Sequence, residues 1–276
     1  MKASKILRVS PLGTHSADAE SLTSIITRLA LRNRISKNEI FEHLDSLVGG
    51  VFPRSNFRNL APNSFQTVNT HCIHSAKLVD LLSYVCHVPK EKLGLHTMSR
   101  FDHLFATGYG RRFTNFNPSM LTQVRPFEKM IWNVSGVHFD TNGEPLLSRC
   151  PHCKKPLIKF SWTTGIGQCA YCSKMLDDFL PDEMQQNDLT TWKNLDYAKW
   201  ASEITAELLE IGNEVQNFDF FNSFKEAYKN AGFKNKYQAS LKLGINHGTL
   251  SKWLKGRTKP KIESFLAVLC VLDLRP

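Results

Sequence analysis

Four cysteines are the residues whose types and spacing most clearly imply chemistry. Cys150-Pro-His-Cys153 and Cys169-Ala-Tyr-Cys172 are two C-x-x-C pairs separated by fifteen residues. Each pair can fold into a knuckle that presents two thiolates, and the intervening segment is long enough for a hairpin that brings the knuckles together. Four protein ligands leave no open coordination position, so the expectation is one structural zinc on Cys150, Cys153, Cys169 and Cys172 rather than a catalytic one. A redox dithiol pair is the rival chemistry for the same residues. Arg149, Lys154, Lys155 and Lys174 flank the ligands and would offset the double negative charge of four thiolates on one zinc. Gly165 and Gly167 suit tight turns between the pairs. Such a centre contributes on the order of 10 kcal/mol to folding, because a small ribbon has too little core to stand alone. His152 lies inside a knuckle and is read as facing solvent. His71, Cys72 and His74 have ligand chemistry but no second set at matching spacing, and are read as ordinary residues.

A second pattern begins at Lys236, in K-Y-Q-A-S-L-K-L-G-I-N-H-G-T-L-S-K-W-L-K-G-R-T-K-P. Two helices joined by a tight turn need a small residue where they cross and a glycine four later in the left-handed region. Apolar residues must then lock the second helix. Ser240, Gly244, Ile245, Leu250 and Trp253 meet these requirements, with Ala239 and Leu243 on the inner face of the first helix. Asn246 has the chemistry of an N-cap. The residues left facing outward are His247, Gly248, Ser251, Lys252 and Lys255, followed by Arg257, Lys259 and Lys261 as phosphate contacts. Ile262, Phe265, Leu266 and Leu269 then form a closing helix. The stretch resembles the Cro/Xre-type helix-turn-helix, which implies double-stranded DNA as the partner of Asn246, His247, Gly248, Ser251, Lys252, Lys255, Arg257 and Lys259. Protein contact is the other use of such a module.

The elements that must carry these two sites follow from composition and periodicity. The chain of 276 residues is 42% hydrophobic with a net charge of +10. The positive charge is concentrated: residues 223–276 hold 11 Lys and Arg against 3 Asp and Glu, whereas 176–221 hold 2 against 11. A basic module preceded by an acidic stretch points to a polyanion for the first and a protein neighbour for the second. Leu22, Ile25, Ile26 and Leu29 recur at helical spacing. Ser36 and Glu39 have capping-box spacing ahead of Ile40, Phe41, Leu44 and Leu47. Val48–Pro53 breaks that pattern, and more helix is expected around Ala76–Cys86. The middle loses the helical period and gains Gly, Pro, Trp and the cysteine pairs. Apolar positions from Trp192 to Ile211, broken by Gly212, mark the return of helix.

The expectation is therefore a mainly α, multidomain protein. Residues 1–109 form an N-terminal helical domain like a helix-turn-helix, and 110–181 a zinc-ribbon region with short β-strands. Residues 182–276 form an acidic helical segment plus the C-terminal helix-turn-helix bundle. No apolar run approaches the ~18 residues of a membrane span, and Met1–Val9 lacks the core of a signal peptide. A cytoplasmic, nucleoid-associated protein is expected, with no membrane partner. No phosphate-binding G-x-x-x-x-G-K-[ST] run, nucleophile elbow, metalloprotease motif or kinase set is present, so no enzymatic activity is expected.

Three stretches together resemble the TniQ/TnsD family of transposition target-selection proteins. Glu20-Ser-Leu-Thr-Ser-Ile-Ile-Thr-Arg-Leu-Ala30 is similar to the family's N-terminal signature, E-S-L-x-S-x-x-x-R-L-A. Phe127–Cys153, with Trp132, Gly143, Pro145, Leu146 and Leu147, is similar to its central metal-binding region, which the Cys169–Cys172 knuckle completes. The resemblance covers roughly residues 10 to 180. The chain departs from the family at an earlier ribbon, C-P-x-C-L and C-x-x-H-G-x-P-L, where Asn117, Met120, Phe139 and Asn142 replace all four ligands. One zinc is therefore expected, not two, with Met120 and Phe139 filling the lost metal's volume. The resemblance implies an adaptor that recognises an insertion site and recruits an AAA+ ATPase regulator, which directs a transposase. Some family members join an RNA-guided CRISPR effector with guide RNA, and that partner stays open. Few base contacts fit on one helix-turn-helix, so tight specificity would need a homodimer or help from the ribbon and the N-terminal domain. The competing reading is an autonomous transcriptional regulator.

Overall fold

Serine caps start the first two helices. In the computed structural model, which describes residues 6–47, 69, 73–98, 105–106, 110, 113–158, 161, 163–177, 195–211 and 219–274, α1 (Leu22–Asn33) begins where the Ser21 hydroxyl accepts from the Ser24 N–H at 3.2 Å. Arg34 ends it in the left-handed conformation. At α2 (Lys37–Leu47) the Glu39 carboxylate accepts from the Ser36 N–H at 2.7 Å, and the Ser36 hydroxyl accepts from the Glu39 N–H at 3.2 Å. This reciprocal pair satisfies two backbone donors that a helix start leaves open. α3 (Ile73–Cys86) and α4 (Lys90–Gly94) follow.

These four helices bury one apolar cluster. Leu22, Ile25, Ile26 and Leu29 of α1 meet Ile40, Phe41 and Leu44 of α2 and Leu78, Leu81, Leu82 and Val85 of α3. Fully burying one such side chain stabilises by about 1.5–3 kcal/mol. The other side of the α1 start is polar and equally buried. Glu20, with no exposed surface, accepts from the Ser24 hydroxyl at 2.8 Å and from the Leu12 N–H at 3.2 Å, and pairs with Arg28. The two ionisable residues of the first signature thus pair across α1. His96 closes the cluster, with Nδ1 on the Glu20 carbonyl and Nε2 on the Thr14 hydroxyl.

The middle of the chain is threaded by turns. Two 3-10 turns, Pro118–Thr122 and Met130–Asn133, are described, and strand pairing among the described residues is limited to isolated bridges. One bridge, Glu20 with Lys129, ties this region to the α1 start, reinforced by Ser21 N–H to the Glu128 carbonyl at 2.8 Å and Met130 N–H to the Ala19 carbonyl at 2.7 Å. Lys37 forms a second tie. Its buried ammonium donates to the carbonyls of Ser161 and Thr164, in the segment between the two cysteine pairs.

Five further helices are described: α5 (Leu195–Ile211), α6 (Phe220–Asn230), α7 (Lys236–Lys242), α8 (His247–Leu254) and α9 (Ile262–Val271). The described residues are therefore mainly helical. Their core joins the central region: Phe116, Trp132, Val137, Leu147 and both knuckles lie in one cluster with Ile204, Leu208, Trp253 and Phe265. Aromatic rings fill its C-terminal part, with Phe220 and Phe224 against Trp253 at 5.8 and 5.7 Å and Phe105 edge-on to Phe265 at 5.1 Å. None of the described helices is long and apolar enough to cross a membrane. Val48–Pro53, His71, Cys72, Trp192 and Gly212 lie outside the described residues, as does the side chain of His74.

Two carboxyls at the junction have shifted titrations. Burial pushes Glu20 up to about 7 despite the opposing Arg28 charge. Burial likewise pushes Glu128 up to about 7 against the opposing Lys37 charge, and the Glu20 charge adds to the rise. A carboxyl whose folded value lies above its unfolded one binds more protons when folded, so stability falls as pH rises through that window. Denaturant unfolding should therefore show the protein more stable at pH 6 than at pH 8, by about 1 kcal/mol per carboxyl. Glu20→Gln should remove its share of that difference; an unchanged difference would refute the assignment.

Candidate metal centre and basic helical face

The two C-x-x-C pairs fold into the same turn. In the first, Lys154 N–H donates to the Cys150 carbonyl at 2.8 Å and Cys150 N–H to the Lys155 carbonyl at 2.9 Å. In the second, Ser173 and Cys169 repeat the pattern, with Ser173 N–H to the Cys169 carbonyl and Cys169 N–H to the Lys174 carbonyl, both at 2.9 Å. Lys154 and Ser173 each take φ of 59°, which reverses the chain and points both thiols of a pair inward. Gly167 has φ of 70°, and a β-carbon there would collide with Leu121, so close packing as well as conformation requires glycine. Gly165 has no left-handed φ.

The four sulfurs of Cys150, Cys153, Cys169 and Cys172 all lie within 4.8 Å of one another. Cys150 and Cys172 approach to 3.7 Å, as do Cys153 and Cys169. A tetrahedral ion with metal–sulfur bonds of about 2.3 Å has a sulfur–sulfur edge of about 3.8 Å, so the cluster has the dimensions of a metal site. Burial pushes the Cys150 thiol up to about 12, against the lowering effect of the Cys153 and His152 backbone N–H groups that bond to it. Such a thiol needs a bound cation to ionise at neutral pH. His152 is exposed, and its Nε2 donates to the Met175 carbonyl at 3.1 Å.

A third turn lies just upstream, around Asn117, Met120, Phe139 and Asn142. Phe139 bridges to Pro145, Gly143 N–H donates to the Asp140 carbonyl at 2.9 Å, and Asp140 N–H donates to the Glu144 carbonyl at 2.7 Å. The bridge spans one residue fewer than those of the knuckles, Arg149 with Pro156 and Gln168 with Met175. Met120 and Phe139 are buried here, as expected. The filling is only partly apolar, however. Asp140 accepts from Lys129 at 2.9 and 3.0 Å, Trp132 Nε1 at 2.9 Å and Asn117 Nδ2 at 3.0 Å. Burial works to raise its pKa, but the Lys129 charge and these donors outweigh it and hold the carboxyl below its usual range. Asn117 also donates to Glu144 at 2.6 Å, and Lys129 also pairs with Asp18 at 2.8 Å. Sequence reading missed this network. Its only signal was Asp140 between the replaced positions Phe139 and Asn142.

The C-terminal residues singled out in the sequence sit on one short element and its trailing turn. Gly244, with φ of 64°, turns the chain between α7 and α8, and Ile245 N–H donates to the Ser240 carbonyl at 3.1 Å. Asn246 caps α8 by accepting from the Gly248 N–H at 2.7 Å. Ala239, Leu243, Leu250 and Trp253 are buried, as are Ile262, Phe265, Leu266 and Leu269 of α9. Asn246, His247, Gly248, Lys252, Lys255, Arg257 and Lys259 are exposed, and Ser251 is half-buried. The three central helices α6, α7 and α8 thus surround an aromatic core and leave one face of α8 polar and basic.

No model of a known protein family matches the chain, and no curated protein matches it. The cysteine geometry gives a direct test. Native mass spectrometry should find one zinc per chain and none in Cys153→Ser/Cys172→Ser, which should lose several kcal/mol of stability. Two zincs per chain would overturn the metal-free reading of the Asn117–Asp140 turn.

Proposed function

We propose that this protein is a zinc-stabilised, DNA-reading adaptor that selects insertion sites for transposition and recruits an AAA+ ATPase regulator and its transposase. The observation that carries the DNA contact is the α7–Gly244–α8 unit. Its buried Ala239, Leu243, Leu250 and Trp253 hold α8 so that His247, Gly248, Lys252 and Lys255 face outward, with Arg257 and Lys259 beyond. A capped helix presenting its N-terminal turn and a cationic side suits a major groove, with base edges read by the first residues and phosphates met by the flanking cations. We read the unit as a helix-turn-helix, with Ser251 and Asn246 completing the contact set.

Zinc is the ion favoured at the four thiols, because the tetrahedral all-sulfur set suits a borderline-soft dication and leaves no open position for catalysis. The protein acts by binding, with no catalytic residues of its own. The transposition role rests on the resemblance of residues 10 to 180 to the TniQ/TnsD family, whose first signature supplies the Glu20–Arg28 pair observed at α1. In the cell such an adaptor would sit on the nucleoid, alone, as a homodimer, or with a CRISPR effector and guide RNA.

Affinity capture from native cells, with proteins and nucleic acids both sequenced, tests this reading. The expected result is an AAA+ ATPase together with one enriched duplex sequence; Cas proteins with guide RNA would move the address to the guide. Recovery of its own promoter alone, without an ATPase, would favour a transcriptional regulator. On the enriched duplex, Lys252→Ala/Arg257→Ala should weaken binding about tenfold and lower its salt dependence, as the loss of phosphate contacts does.

A further inference from the structure

The exposed side of the two cysteine knuckles is built for a partner that the α8 face does not account for. Arg149, Lys154, Lys155 and Lys174 are all exposed, and no carboxylate occurs in residues 149–155 or 168–176. Four thiolates on a dication carry a double negative charge, so these four cations exceed it by two, and still by one when the exposed Asp177 that follows the second knuckle is counted. Neutralising the metal centre therefore does not explain all of them.

The surface is also cross-tied. The Lys155 ammonium, from the first knuckle, lies 4.7 Å from the centroid of the Tyr171 ring on the second. His152 of the first knuckle donates to the Met175 carbonyl behind the second, and the Arg149 guanidinium donates to the Lys154 carbonyl at 3.1 Å. The contacts between the knuckles hold Lys155 on Tyr171, which stays 47% exposed, and the bond within the first knuckle holds Arg149. Such preorganisation lowers the entropy lost on binding.

We propose that this ribbon tip is a second nucleic-acid contact, gripping the phosphodiester backbone through Lys154, Lys155, Lys174 and Arg149, with Tyr171 against sugar or base. Charge complementarity selects the partner. Phosphates need only cations and N–H donors, and both are present here. A protein partner of ordinary size would need a larger desolvated apolar centre than Tyr171 and Met175 supply. The contact is independent of the α8 face, sharing with the proposed function only the nature of the ligand.

The zinc-loaded full chain is titrated with a fluorescent random-sequence duplex across a KCl series. The readout is the slope of log Kd against log salt, with zinc content measured on the same samples. Lys154→Gln/Lys155→Gln/Lys174→Gln should flatten the slope by about 2 to 3, at ~0.9 per lost phosphate contact, both alone and in the Lys252→Ala/Arg257→Ala background. The three matching Lys→Arg substitutions should keep the wild-type slope. If the triple Gln variant loses zinc, each single variant should still flatten the slope by about 0.9. A wild-type slope in zinc-retaining variants, single or triple, would overturn the proposal and assign the cations to the metal centre or an acidic protein. A flattened slope in a chain whose α8 variant still binds its enriched duplex normally would support the ribbon contact while refuting the helix-turn-helix reading.

Discussion

Four thiols within 4.8 Å of one another form a cluster with the dimensions of a tetrahedral metal site, and much of the middle of this protein is arranged around it. Each knuckle closes its turn with backbone N–H groups and directs others at sulfur, as Tyr171 N–H does to Cys169 Sγ at 3.4 Å, and each has a non-glycine residue at positive φ immediately after it. The arrangement makes sense once a dication compensates the thiolates, because the ribbon itself has few apolar residues with which to hold such turns. Leu147, Leu157, Ile166 and Leu176 are its contribution to the wider core, and they join it to α5 and the C-terminal helices.

A second centre, built on Asp140, solves the same problem without sulfur. A buried carboxylate draws in Lys129, Trp132 and Asn117, and through Lys129 it reaches Asp18 near the chain start. Ion pairs of this kind are not necessarily stronger than apolar packing, but they are directional: removing one partner leaves an uncompensated buried charge. The Asn117–Asp140 turn therefore specifies a register where a neighbouring turn uses four thiols. Lys37 acts similarly at the other edge, joining α2 to the segment between the cysteine pairs. The N-terminal helices, the ribbon and the Asp140 turn are thus connected by polar contacts as well as by cores.

The α8 face and the ribbon tip differ in construction. The α8 face is a helix surface whose direction is set by Trp253 and Leu250 buried against α6 and α9 residues. The ribbon tip is a loop surface whose direction is set by its ligands. Both are cationic, while the exposed side of α5 carries Asp196, Glu203 and Glu210. This segregation keeps like charges on separate elements and would repel nucleic acid from α5.

Much of this was legible in the sequence, for local reasons. The cysteine pairs, the Ser36–Glu39 capping box, the Asn246 cap and Gly244 are each specified by chemistry acting over three to five residues, and a linear chain displays such patterns directly. The apolar stripe of α1 was readable for the same reason, since its period is the helix's own. What only the tertiary structure decided is which distant groups meet. Asp140 acquires its role only because Lys129, Trp132 and Asn117 are brought around it. Lys37 is buried against carbonyls 124 and 127 residues away. Nothing in their immediate neighbours marks such residues, because burial and partner choice are properties of the packed chain and not of its local spacing.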